Sequence, residues 1–141
     1  MVPVRPSDER GFTLVEMLVV VLIVAILAAI AVAILTNQRT KAQDAEAKTT
    51  ATVVATALTI WHQDHDTYAG AGRDELAAIE PAIATARGLV VHGTADTYTI
   101  SVASAAATAG GGPFEIEYRD ETTTRSCRVP GRGGCPDSGG W

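Results

Sequence analysis

An uninterrupted apolar run near the N-terminus constrains this chain more than any other feature. No polar side chain occurs from Met17 to Leu35. As an α-helix at about 1.5 Å per residue, residues 12–35 would be roughly 36 Å long, and a bilayer core is about 30 Å thick. We therefore predict a membrane-spanning helix, with the remainder of the chain attached to it.

The polar residues before this run favour one orientation and leave two ordinary alternatives. Arg5 and Arg10 form a basic flank, which predicts that the N-terminus stays in the cytoplasm and the rest is exported. A secretory signal peptide and a plain membrane anchor are the alternatives. The apolar run is longer than the 7–15 residues of a signal peptide core. Glu16 directly precedes the run within the predicted helix. A carboxylate costs about 2.5–3.5 kcal/mol to insert near a helix centre, and Glu16 lies nearer one end.

The junction of leader and apolar run resembles a known processing signal. The segment Gly11–Glu16, read as Gly-Phe-Thr-Leu-Val-Glu before an apolar helix, is similar to the class III signal of type IV pilins and pseudopilins. The resemblance covers mainly residues 11–41 and includes Asn37-Gln38-Arg39. It implies that a prepilin peptidase cleaves between Gly11 and Phe12 and methylates the new amine of Phe12. Many members carry a proline inside the helix, and this chain has none there.

Glu16 has a specific expected role if the resemblance holds. After cleavage the α-amino group of Phe12 is a cation near pH 7, and both groups lie in apolar surroundings. Each is costly alone, and pairing compensates both charges. The resemblance implies that Glu16 pairs with the amine of a neighbouring subunit and so sets the assembly register. The alternative is a carboxylate that reaches back to the membrane interface.

Beyond Leu35 the chain becomes polar but remains compatible with a helix as far as about Asp64. Apolar residues recur there at helical spacing, so we predict an amphipathic continuation that packs on a small domain. Trp61 is expected to anchor that core. The predicted core-facing positions are Ala42, Ala45, Thr49, Val53, Ala57, Ile60 and Trp61.

The remaining sequence predicts a short helix and four strands. The segment 74–80 reads as a helix capped by Asp74 and ended before Pro81. Strand patterns follow at residues 89–92, 97–103, 114–119 and 122–127, and short connections favour an antiparallel meander. Ser104–Pro113 is expected to be a flexible turn. The predicted fold is α+β, with a long N-terminal helix packed on a small antiparallel sheet.

The two cysteines, Cys127 and Cys135, lie in a Gly/Pro-rich tail. An even count in an exported segment favours one disulfide, which would restrict the tail by about 2–3 kcal/mol on the loop-entropy model. Two free thiols in a cytosolic tail are the alternative. The formal net charge of -5 argues against a protein that binds nucleic acid through phosphate contacts.

No enzymatic motif or catalytic pair is evident, and we predict no cofactor. His62 and His65, with Asp64 and Asp66 nearby, invite a metal interpretation, but histidines near a helix C-terminus also complement its dipole. A membrane-anchored binding or metal-dependent protein is therefore one alternative. His92 stands alone and is expected on the surface of a strand.

The sequence thus predicts a structural protein. The expected segments are a cleaved leader (1–11), a membrane and filament-core helix (12–35), its amphipathic continuation (36–66) and an outer domain (67–141). We expect a single-pass precursor in the cytoplasmic membrane that is processed by prepilin peptidase. The pilus assembly machinery would then join it to other pilin subunits in an extracellular type IV pilus. The nearest alternative is a pseudopilin or minor pilin of a type II secretion or DNA-uptake system.

Overall fold

The computed structural model describes residues 12–141, and the chain divides into two compact units at the Leu35/Thr36 junction. Helix α1 (Leu14–His65) runs through this junction. The sequence places its ends at about Phe12 and Asp64, close to those observed. In the described part of the first unit, α1 is the only regular element and carries the apolar run.

The second unit combines the rest of α1 with a short helix and one sheet. Helix α2 (Arg73–Ile79) is followed by a 3-10 turn at Pro81–Thr85. The strands are β1 (Val90–Gly93), β2 (Tyr98–Val102), β3 (Phe114–Arg119) and β4 (Thr122–Cys127). They form an antiparallel meander in the order β1-β2-β3-β4, and this confirms the predicted α+β class.

Alternation along the strands gives the sheet its buried face. Tyr98, Ile100 and Val102 of β2 are buried while their neighbours are more exposed, and Phe114 and Ile116 of β3 repeat the pattern. Because successive strand side chains point to opposite faces, these residues share one side of the sheet. They form a single core with α1, α2 and the 3-10 turn, to which Leu58, Leu76 and Ile83 contribute.

The face of α1 that enters this core differs from the predicted one. Of the predicted positions only Ala57 is buried, Val53 and Trp61 are half-buried, and the other four are not in the core. The helix is rich in alanine and threonine on several sides, so side-chain size did not distinguish the faces. The residues of α1 that are buried are Asp44, Ala47, Ala51, Val54, Ala57 and Leu58.

Two further expectations are corrected by local geometry. Asp74 does not cap α2. The N-cap position is occupied by Gly72, which has no side chain that could accept a capping hydrogen bond. Asp74 instead lies in the first turn, where a carboxylate favours the helix dipole. The Ser104–Pro113 segment, predicted as a flexible turn, contains a 3-10 turn at Ala107–Ala109 and is tied to α1 at Gly111.

Tyrosines close the end of the core where α1 stops. The ring of Tyr68 meets those of Tyr98 and Tyr118 edge-on, at centroid distances of 4.9 and 5.8 Å, and the last two stack on each other. Burial raises the pKa of Tyr98 and of Tyr68 above 10.0, because the phenolate loses solvation, and the neighbouring tyrosines add to the rise.

Candidate functional site

The start of α1 holds the residues to which the sequence assigns processing and assembly. Gly11 lies outside the described residues, which begin at Phe12. The side chain of Phe12 is exposed. Glu16 Oε2 accepts hydrogen bonds from the backbone N–H of Thr13 at 2.9 Å and from its hydroxyl at 2.8 Å. The Glu16 N–H in turn donates to Thr13 Oγ1 at 3.2 Å.

These reciprocal bonds are a capping box. In this motif Ser or Thr at the N-cap and Glu three residues later each satisfy a backbone N–H at the helix start. The motif explains why the helix begins at Leu14. It also gives the Glu16 carboxylate hydrogen bonds within its own chain. The Thr-x-x-Glu spacing is visible in the sequence and is sufficient to predict this cap.

The apolar segment that follows is exposed along its whole length. Every residue from Phe12 to Arg39 is exposed, and the large apolar side chains there are 46–80% accessible. Among the described residues, α1 is the one helix long and apolar enough to cross a membrane, by length and composition. Glu16 is the only charged residue between Phe12 and Gln38. Such a surface needs lipid or other apolar helices to remove it from water.

In the second unit α1 buries a carboxylate next to its apolar core residues. Asp44 is completely buried, and its Oδ2 accepts backbone N–H bonds from Gly111 and Gly134, both at 2.8 Å. Its Oδ1 has no hydrogen-bond partner within residues 12–141. One turn later, Lys48 Nζ donates to the carbonyl of Gly134 at 2.6 Å. Asp44 and Lys48 therefore hold two loops against one side of α1, and we call this arrangement the Asp44 clamp.

The Asp44 clamp explains why two loops lacking regular structure are nonetheless well packed. Gly133 has a φ of +57°, which a residue with a side chain rarely adopts. A Cβ on Gly134 would lie 2.9 Å from Asp44 Cβ, closer than ordinary contact allows. The helical spacing predicted Ala42 and Ala45 as core-facing and made no prediction for Asp44, so sequence reasoning missed this site. A buried carboxylate needs partners of this kind.

The tail is closed as predicted by a disulfide between Cys127 and Cys135, whose Cα atoms are 5.9 Å apart. Trp141 packs edge-on against Phe114 with ring centroids 5.9 Å apart. Its indole N–H donates to the Ser126 carbonyl at 2.8 Å. The disulfide-closed loop is thus fixed on one side by the Asp44 clamp and on the other by an aromatic contact.

The histidines at the end of α1 have local partners. His65 stacks on Trp61 with ring centroids 3.7 Å apart, and its Nδ1 lies 3.0 Å from the Trp61 carbonyl. His62 tilts against Tyr68 at 4.4 Å. Trp61 is half-buried, so it borders the core rather than anchoring it. Among residues 12–141, no group of three or more His, Cys, Asp or Glu side chains could hold a metal ion. His92 is exposed on β1.

Comparison with known proteins identifies the N-terminal segment. Residues 6–32 match the family model of the prokaryotic N-terminal methylation motif. No curated protein and no solved structure matches the chain. The matched segment spans the predicted cleavage point, Glu16 and most of the apolar run, and leaves the second unit uncovered. The chain therefore carries the class III signal and methylation motif of type IV pilin-like precursors.

Proposed function

We propose that this chain is the subunit of a type IV pilus. In this proposal it is stored in the cytoplasmic membrane with its N-terminus inside, cut between Gly11 and Phe12, methylated on Phe12 and polymerised into a surface filament. The observation that carries the proposal is the methylation motif on a helix whose first half is apolar on every side and exposed. A lone globular protein has no use for such a surface.

The energetics of assembly follow from the two halves of α1. Leaving the bilayer would expose the apolar half of α1 to water. Each Å² of apolar surface kept from water stabilises the subunit by about 25 cal/mol. Packing among neighbouring apolar helices retains that burial after extraction. Subunits therefore move from lipid to a helical core without a large net loss of apolar burial. The polar second unit stays outside this core.

Glu16 is the register device in this proposal. Before assembly, Thr13 supplies hydrogen bonds to its carboxylate. In the filament, the amine of Phe12 on a neighbouring subunit would supply the opposite charge. An axial offset that leaves either charge unpaired in the apolar core is heavily penalised. The assembled state therefore has one preferred stagger.

Processing is tested by the N-terminal sequence and intact mass of the protein recovered from filaments or membranes. We expect a chain that begins at N-methylated Phe12. Protein that still begins at Met1 would contradict the processing step. Electron microscopy with antibodies against the second unit then separates long surface filaments from a short envelope-bound rod, and the latter result would assign a pseudopilin role.

The register role is tested by a matched pair of substitutions. Glu16→Gln removes the charge but keeps an oxygen that can accept the Thr13 bonds, whereas Thr13→Val removes the hydroxyl and keeps the charge. We expect both variants to insert into the membrane, and only Glu16→Gln to lose filaments. Normal filaments from Glu16→Gln would remove the register role. Loss of filaments in both variants would assign Glu16 to helix capping instead.

A further inference from the structure

Along the direction of α1, basic side chains cluster at one end of the second unit and carboxylates at the other, with Asp137, beside Gly131, as an exception at the basic end. At one end, Lys41 and Arg132 line a hollow of about 640 Å³, and Arg128 and Arg132 line the next one, of about 460 Å³. All three side chains are exposed, and within the described chain neither hollow is lined by Asp or Glu. We call Lys41, Arg128 and Arg132 the basic pole.

The opposite end carries exposed carboxylates on three elements that meet there. The N–H of Tyr68, just after α1, donates to the Thr94 carbonyl at 3.0 Å, which brings the β1–β2 turn to the end of the helix. Tyr98 pairs with Tyr118 in the sheet register, which places the β3–β4 turn at the same end. We call these carboxylates the acidic pole: Asp64, Asp66, Asp96, Asp120 and Glu121.

The sheet register sets the two poles apart. In the β3–β4 pair, Phe114 faces Cys127 at one end and Arg119 faces Thr122 at the other. Arg128 follows the first end, and the β3–β4 turn follows the second. Along α1, Lys41 and Asp64 are about 35 Å apart at 1.5 Å per residue. Arg119, which directly precedes Asp120 in the sequence, is already paired with Glu117 at 3.0 Å.

We propose that the basic pole of one copy binds the acidic pole of the next copy along the filament. The inference rests on the proposed function, because it needs copies repeated head to tail. Such repetition makes a heterologous interface, in which two different patches meet. Unlike poles then face each other at every step, whereas a reversed subunit would bring like charges together. The contact thus selects polarity through the second unit, in addition to the register that Glu16 sets, because apolar packing alone is non-directional.

The test reverses each pole in the full-length chain, expressed with its own assembly machinery. Lys41→Glu with Arg128→Glu reverses part of the basic pole, and neither side chain has a hydrogen-bond or ion-pair partner among residues 12–141. The variant with Asp64→Lys, Asp96→Lys, Asp66→Asn and Asp120→Asn brings the acidic pole to a net charge of +1, whereas Lys41→Glu with Arg128→Glu brings the basic pole to −1. Asparagine tolerates the left-handed backbone that Asp66 and Asp120 adopt. Glu115→Lys is the control on β3: it reverses an exposed carboxylate that belongs to neither pole and that, unlike Glu117, has no ion-pair partner among residues 12–141. Filament mass is measured by sedimentation and microscopy, relative to processed protein in the membrane.

Each reversed pole should lower filament mass by about tenfold, while the β3 control stays within about twofold of wild type. The chain with both poles reversed should recover to within about threefold, because its charges again complement each other. No recovery, or an equal loss in the control, would overturn the contact. A loss confined to basic-pole variants would instead indicate binding to anionic lipid headgroups, and would also overturn it.

Wild-type filaments provide a measurement that does not depend on variants folding. Raising the ionic strength from about 0.1 to 1 M shortens the screening length from about 10 to 3 Å. Purified filaments should therefore fragment severalfold faster at high salt, and salt-independent fragmentation would contradict the proposal. A wild-type chain that is processed but never polymerises would refute the filament function itself, and with it this contact.

Discussion

The side chains of the two halves of α1 lie in opposite surroundings. The half before Leu35 is apolar and exposed on all sides, with one carboxylate that is hydrogen-bonded at its start. The half after Thr36 buries small residues such as Ala47 and Ala51 on one side, together with the carboxylate of Asp44. One continuous helix can thus combine a segment that must find partners outside the chain with a segment that already has them.

The largest expected contrast is in solubility. A fragment of residues 36–141 should be soluble and folded, because it contains the whole described core and the disulfide. The full-length chain should need detergent or membrane. Circular dichroism and sedimentation of the two proteins test this, with the detergent-solubilised full chain as the control. A fragment that aggregates or lacks a cooperative unfolding transition would show that the second unit depends on the first.

Removal of the Asp44 carboxylate should be the most destabilising single change in the second unit. Asp44→Ala leaves the buried N–H of Gly111 and the half-buried N–H of Gly134 without an acceptor, at a cost of about 3–5 kcal/mol in the free energy of unfolding. Ala42→Ser, on an exposed side of the same helix, should change it by less than about 0.5 kcal/mol. Urea unfolding of the fragment measures both, and equal stability of the two variants would show that the Asp44 clamp contributes nothing.

Reduction of the Cys127–Cys135 disulfide should lower the free energy of unfolding of the fragment by about 2–3 kcal/mol, because the disulfide closes a short loop and restricts the unfolded chain. The paired Cys127→Ser and Cys135→Ser variant should match the reduced protein. Urea unfolding with and without reductant tests this. Because the loop is also held by Asp44, a much smaller loss would indicate that the clamp alone orders it.

Alanine-to-valine substitutions in the two halves of α1 should have a smaller effect on unfolding, and one that differs between the halves. Ala51 is fully buried, so Ala51→Val should overpack the core and cost about 1–2 kcal/mol. Ala31→Val makes the same change on the exposed apolar half and should leave the unfolding of the second unit unchanged. Thermal unfolding of both variants in the same detergent makes the comparison. A loss at Ala31 as large as that at Ala51 would mean that the halves are not independent.

The smallest effect concerns alkaline pH. Since the folded pKa of Tyr98 and Tyr68 is raised, their neutral form contributes stability that is complete below the unfolded pKa of about 10. It is lost as pH rises through the folded values. Unfolding free energy should therefore fall above pH 10 more steeply in the wild type than in a variant with Tyr98→Phe and Tyr68→Phe. Identical pH profiles from 8 to 12 would contradict this.

Local patterns were enough to predict most elements of the fold. Alternation located β2 and β3, the apolar run located the first half of α1, and the two cysteines indicated the closed tail. The capping box at Thr13 and Glu16 was also readable, since it depends on two residues three apart. In each case the signal and the structure it produces lie close together in the sequence.

The face of α1 and the Asp44 clamp were not predictable in this way. Asp44 finds its partners 67 and 90 residues along the chain, and nothing near residue 44 indicates that backbone N–H groups will meet it. Burial of a carboxylate also reversed the usual assumption that charges mark the solvent side. The placement of Trp141 had the same origin, because it depends on Phe114 and Ser126 across the fold.

The crowding at the Asp44 clamp limits how this protein can vary. A side chain at Gly110 or Gly133 would collide with the Asp44 carboxylate, and one at Gly111 would collide with Cys135. These positions can change only together with Asp44 or the disulfide-closed loop, so single substitutions there are expected to be eliminated by selection. The exposed residues Thr99 and Thr124, on the outer face of the sheet and outside both poles, have no such coupling. Diversity at the outer surface of the second unit can therefore accumulate there without altering the point at which the tail is held.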